Sequence, residues 1–140
     1  MRKTILISMI ILFFASGCNK NKYNTVPSLK YKSVSSKELR NFQTIQFRFT
    51  FTDKEGDLTD SLYIIEKVPH CNYNGPVISF KLPSFPTTKN IGGDILFNMT
   101  HNDFPVQCFG NDTATFKFFI KDAAKHISDT ATAETIIIYP

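Results

Sequence analysis

The segment TIQFRFTFTD, residues 44–53, sets Ile45, Phe47, Phe49 and Phe51 at every second position, with Gln46, Arg48, Thr50 and Thr52 between them. On an extended chain successive side chains point to opposite faces, so this stretch has one aromatic face to bury and one polar face for water. A helix cannot give that separation. DTATFKFFIKD, residues 112–122, repeats the device: Ala114, Phe116, Phe118 and Ile120 share a face, and Lys117 and Lys121 take the other. Phe119 breaks the pattern and needs cover from a neighbouring loop.

Shorter segments of the same kind surround these two: SLKYKSVS, SLYIIEKV, PVISFKLP, DILFNMT and ATAETIIIY, separated by clusters of Gly, Pro, Asn and Asp. Ser36 to Asn41 has at most one helical turn to offer, and no amphipathic helix is apparent. Seven short alternating strands in about a hundred residues point to an all-β, two-sheet sandwich of immunoglobulin type over residues 27–140.

Before the strands comes MRKTILISMIILFFASGC. Arg2 and Lys3 precede an uncharged apolar run from Thr4 to Phe14, then the small residues Ala15, Ser16 and Gly17. Residues 1–17 read as a signal peptide, and the run is too short for a spanning helix. The junction resembles a bacterial lipobox, with Ala15 where Leu is more usual. That resemblance implies cleavage before Cys18 and acylation of its thiol and amine, which exceeds the two lipid signals that stable anchoring needs. Residues 18–26 then form a polar tether joining the membrane lipid to the sandwich.

Removing the leader leaves 123 of the 140 residues and lowers the formal net charge from +4 to +2 by loss of Arg2 and Lys3. This is enough chain for one domain with a core. The basic residues Lys20, Lys22, Lys30, Lys32, Lys37 and Arg40 cluster early, where an anionic membrane surface would attract them. An exported chain with no recognisable nucleic-acid motif has no expected nucleic-acid partner.

With Cys18 taken by lipid, Cys71 and Cys108 remain in an oxidising compartment. In an immunoglobulin-type sandwich, Cys71 follows the third strand and Cys108 precedes the sixth. Those strands are neighbours, so both cysteines fall at one end and a Cys71–Cys108 disulfide is expected. The rival is a zinc site completed by His70 and His101.

FTDKEGDL, residues 51–58, resembles the turn F-x-D-x-(D/E)-G-D-L of immunoglobulin-like domains in Bacteroidetes lipoproteins. FKFFIKDAAKHISDTATAETIII, residues 116–138, is similar to the closing hairpin of those domains, with Ala124, Lys125 and His126 where Gly and Asn are customary. The resemblance runs from about residue 43 to 139. It implies a cell-envelope lipoprotein with one immunoglobulin-like or cadherin-like domain, in a group mostly without a defined activity.

The acidic turn leaves two readings open. Gly56 stands fourth from Asp53, and Ile64 occupies the twelfth position, so the loop is not an EF-hand. Gly56 supplies a positive φ, and Asp53 and Asp57 can bond nearby backbone N–H groups, which makes a turn that needs no metal. Alternatively Asp53, Glu55 and Asp57, with Asp122 from the closing hairpin at the same end, offer carboxylates to a weakly held calcium. Calcium apart, no cofactor is expected.

Asp-Ser-Leu and Asp-Thr-Ala at Ser61, Thr113 and Thr130 resemble the O-glycosylation pattern of the same bacterial group, and equally mark ordinary turn-to-strand junctions. His70, His101 and His126 have no partners at triad spacing, and Gly92-Gly93 lacks the strand–loop–helix setting of a phosphate loop. The expectation is a non-catalytic, lipid-anchored binding or structural module of the outer membrane. Asn19-Lys20-Asn21-Lys22, in place of the acidic residues that follow the lipidated cysteine in surface-exposed relatives, turns it towards the periplasm. The alternative is an inhibitor or accessory subunit that inserts the aromatic segment THNDFPVQCFGND, residues 100–112, into an envelope partner protein.

Overall fold

The structure is a computed structural model that describes residues 22–140, so the leader and Cys18 lie outside the described residues. Strands β1 (Ser28–Val34), β3 (Thr44–Asp53) and β6 (Ile91–Thr100) form one antiparallel sheet in the order β1-β3-β6. The second sheet runs β2 (Glu38–Leu39), β9 (Ile136–Ile138), β7 (Asp112–Asp122), β4 (Leu58–Val68), β5 (Tyr73–Lys81), with β8 (Ala131–Thr132) also on β7. The two sheets form the expected immunoglobulin-like sandwich. Each long strand lies where its alternation placed it: Ile45, Phe47, Phe49 and Phe51 face Ala114, Phe116, Phe118 and Ile120 across a dry interior.

Rings hold the sheets together. Phe118 lies 5.1 Å from Phe47 and 4.6 Å from Phe49 between centroids, and Phe104 meets Phe116 edge-on at 5.1 Å. Tilted and edge-on pairs of this kind contribute about 0.5–1.5 kcal/mol each beyond the area they bury.

Three local expectations are corrected. Ser36 to Asn41 makes no helical turn: Glu38 and Leu39 pair in parallel with Ile137 and Ile138. Leu39 is thereby fully buried, which a surface turn would not achieve. The last segment is two short strands rather than one. Thr132 pairs with Lys117 but Ile136 pairs with Ala114, so one extra residue is accommodated between them. The bulge moves burial from Ala131 and Ala133 to Ile136 and Ile138, keeping small residues and isoleucines on the core face. Phe119 is covered by a strand, not a loop. It stacks on its cross-strand partner Tyr63 at 5.0 Å and 9°, and the Lys121 ammonium lies 4.3 Å above the Tyr63 ring.

The sandwich has two ends. The chain enters at the near end, where the Lys54 N–H donates to the Asn24 carbonyl at 3.2 Å and the Ala123 N–H to the Asp57 carbonyl at 2.9 Å. The far end carries the turn after β4, the segment between β6 and β7, and the strand ends at Leu39, Thr100 and Ile138.

Candidate functional site

At the near end the acidic loop closes on itself. One oxygen of Asp53 accepts the Gly56 N–H at 2.7 Å and the Asp57 N–H at 3.0 Å. Gly56 has φ +72°, and a Cβ there would run into the Thr88 carbonyl, so glycine is required twice over. Burial raises the Asp53 pKa against these two bonds, with Asp57 and Glu55 adding smaller repulsion. Glu55 turns to the entering chain, accepting from the Thr25 hydroxyl at 3.3 Å, with the Lys54 ammonium 3.7 Å away. Asp122 does reach this end, but its oxygens hold the His126 N–H and Nδ1, each at 2.7 Å.

Asp53 and Asp122 thus serve their own loops and Glu55 the entering chain, while Asp53 Oδ1 and Asp57 Oδ1 are buried with no hydrogen-bond partner. Among the described residues, the one group of three or more His, Cys, Asp and Glu side chains within metal-ligating reach of one another lies at the opposite end. The two backbone bonds to Asp53 account for the shape of the turn, and its two unpaired oxygens leave the choice between turn and calcium loop to experiment. A plain turn would let about 10 mM calcium shift Tm no more than magnesium at equal ionic strength. A calcium-specific rise abolished by Asp57→Asn would instead establish a metal loop.

The far end holds a denser constellation. One 3-10 turn, Pro69–Cys71, ends on Asn72 at φ +55° and presents His70 and Cys71 between β4 and β5. Cys71 is disulfide-bonded to Cys108, with Cα atoms 6.3 Å apart. His70 Nε2 stands 3.8 Å from Asp112 Oδ1. Asp112 is wholly buried; its other oxygen accepts the Gln107 N–H, while Oδ1 has no hydrogen bond. Beside it Glu66, 3% exposed, occupies a core-facing position of β4 with Oε1 unpaired. Burial, and then repulsion from Asp112, push the Glu66 pKa up to about 7.

His101 is not part of this group. Its Nε2 meets the Tyr139 carbonyl at 2.8 Å, beside a shallow cleft of about 160 Å³ lined by Phe42, Gln43, Thr44, Thr100 and Asn102. That corrects the ligand set considered for zinc. The segment between β6 and β7 also divides: Phe104 is buried in the core, whereas Phe109 stands free in solvent. Phe42, at φ +62°, is equally exposed. An aromatic residue in the left-handed region is uncommon, and such positions concentrate where function constrains the backbone. Of the three hydroxyls in glycosylation-like contexts, Thr113 and Thr130 are exposed and Ser61 is half-buried.

Comparison of the sequence with protein-family models and with curated proteins gives no match. Among solved structures, a Pseudomonas fluorescens alkylpurine DNA glycosylase bound to DNA containing an abasic-site analogue is similar, with a TM-score of 0.49 and 11% identity. The likeness covers 86% of this chain and 32% of the glycosylase. A Listeria innocua beta-glucosidase in complex with gluconolactone has a TM-score of 0.41 and 13% identity over 81% of this chain and 16% of its own. This chain thus spans less than a third of either structure.

The sequence reading missed Glu66, the buried Asp112 carboxylate and the exposed Phe42, whereas Phe109 lies in the aromatic segment it had singled out. A signal existed for the first: Leu62, Ile64, Glu66 and Val68 share one face of an alternating strand, so Glu66 had to be buried with them.

Proposed function

We propose that this protein is a lipid-anchored, non-catalytic interaction module of the cell envelope whose far end meets a protein partner. The observation that carries the reading is the placement of Phe42 and Phe109, both fully exposed at the end opposite the one where the chain enters. A tether from Cys18 in the outer membrane would hold the near end towards the lipid and present the far end to the periplasm. Burying a phenylalanine contributes about 1.5–3 kcal/mol, so two anchors on one surface suit an apolar recess on a protein.

The second reading, an inhibitor or accessory subunit, is favoured by how Phe109 is mounted. It follows a disulfide-bonded cysteine and shares its segment with buried Phe104, so the loop is pre-organised to insert.

A photo-crosslinking amino acid placed at Phe109 or Phe42 in the full chain should capture one envelope protein in stoichiometric yield. The same group at Val77, exposed on β5, should capture none. With the crosslinker at Phe109, Phe42→Ser should weaken the adduct at an unchanged Tm. Capture at Val77 alone, or at no site, would overturn the far-end assignment. Cys18→Ala should separately release the chain from membranes, and retention there would remove the lipid anchor from the reading.

A further inference from the structure

We propose that His70, Cys71 and Cys108 form a redox-gated site for a thiophilic divalent cation, zinc above all, which opens when the disulfide is reduced. The ligating atoms of these three residues all lie within 4.8 Å of one another. His70 and Cys71 are exposed and Cys108 is partly so, which leaves the sulfurs accessible to a reductant and to an ion. Two thiolates on zinc stand about 3.8 Å apart in a tetrahedral site with ordinary zinc–sulfur bonds. Side-chain rotation can give that separation over a Cα–Cα distance of 6.3 Å with little movement of either backbone.

A second observation also points to an ion. Asp112 Oδ1 is buried, has no hydrogen-bond partner, and lies 3.8 Å from His70 Nε2. A metal-binding imidazole characteristically donates its other ring N–H to a carboxylate, which fixes the tautomer and strengthens the ligand. With Nε2–H turned to Asp112, Nδ1 is left for the metal. Asp112 is then a positioning residue. The set is two sulfurs and one nitrogen, with the fourth tetrahedral position left to solvent.

The chemistry balances. A dithiol reductant transfers two electrons and two protons to the Cys71–Cys108 bond and becomes a disulfide itself. The sulfur–sulfur bond breaks and two thiols form. Zinc then displaces both thiol protons to solvent, with no change in its own oxidation state. Phe109 adjoins Cys108, so the redox state of this site would also alter how that loop is mounted, but metal uptake itself needs no partner.

Cobalt(II) is the spectroscopic probe for the test. The full chain, in detergent and reduced anaerobically with a phosphine, should take up one cobalt per chain. Thiolate-to-cobalt charge-transfer bands and intense tetrahedral d–d bands should appear, and zinc should displace the ion. The oxidised chain should bind none. His70→Ala, at an exposed position, should bind at least tenfold more weakly and lose the tetrahedral d–d pattern. Asp112→Asn should weaken binding by about 10- to 100-fold while keeping the sulfur bands. Failure of the reduced chain to take up stoichiometric cobalt would overturn the proposal. So would a His70→Ala chain that binds as tightly with the same spectrum, which would mark a bare dithiol. Loss of the near-UV dichroism on reduction, not restored by zinc, would overturn it as well.

Discussion

Cys71→Ser is expected to lower the unfolding free energy by roughly 4 kcal/mol. The Cys71–Cys108 bond closes a loop with a sequence separation of 37, and a loop of that length loses a corresponding share of its unfolded-state freedom. For a domain of this size the loss should appear as a fall in Tm of more than about 10 °C. Urea denaturation of the parent in oxidised and reduced form should show the same difference, and the double variant Cys71→Ser/Cys108→Ser should match either single one. Oxidised parent should also show no titratable thiol from either cysteine when denatured without reductant. Equal stability of the oxidised and reduced parent would remove the disulfide from the list of what holds the far end closed.

Glu66 makes stability depend on pH in a direction opposite to that of a salt-bridged carboxylate. Its ordinary pKa of 4.5 applies to the unfolded chain, and burial beside Asp112 raises it to about 7 in the fold. Below the lower value both states carry the proton. As pH rises from there to about 7, the unfolded chain releases its proton and the folded chain keeps it, so stability falls across that window. The shift corresponds to about 3 kcal/mol, lost in full above the folded value. Glu66→Gln cannot ionise and should be more stable than the parent at pH 8 by up to about that amount, with the slope attributable to Glu66 gone. Urea midpoints measured between about pH 4 and pH 8 would check this. A flat parent profile, or a Glu66→Gln profile parallel to the parent's, would contradict it.

The two long strands could be read from sequence because period-two aromatic alternation admits a single interpretation, and Phe47, Phe49, Phe116 and Phe118 are where it put them. The disulfide followed from topology, since β4 and β7 had to be neighbours for the sandwich to close. What sequence could not supply was competition between neighbours. Sequence could not show that one Asp53 oxygen is taken by the Gly56 and Asp57 N–H groups, or that Asp122 holds His126, while Asp53 Oδ1 stays unpaired. The bulge before β9 was hidden because Ala133 and Ile136 are each plausible core residues, and only their pairing with β7 shows which face each takes. Phe104 and Phe109 have the same side chain five positions apart, yet one fills the core and the other stands in water. That distinction depends on which ring faces Phe80 and Phe116, a long-range fact that local pattern does not contain.

The parallel pairing of β2 with β9 sets the order in which the fold can be completed. Leu39 is sealed from water by a strand that ends at Ile138, so an early segment waits for residues made about a hundred positions later. A chain emerging from its N-terminus can form the β3–β4 turn and bring β5 alongside β4, but it cannot close the second sheet until Ile136–Ile138 is free. Such long-range closure slows folding and leaves the aromatic faces of β3 and β7 open in the meantime. The time between synthesis and closure is therefore when this protein is most vulnerable to proteases and to its own copies. Truncation before Ile136 should trap it there.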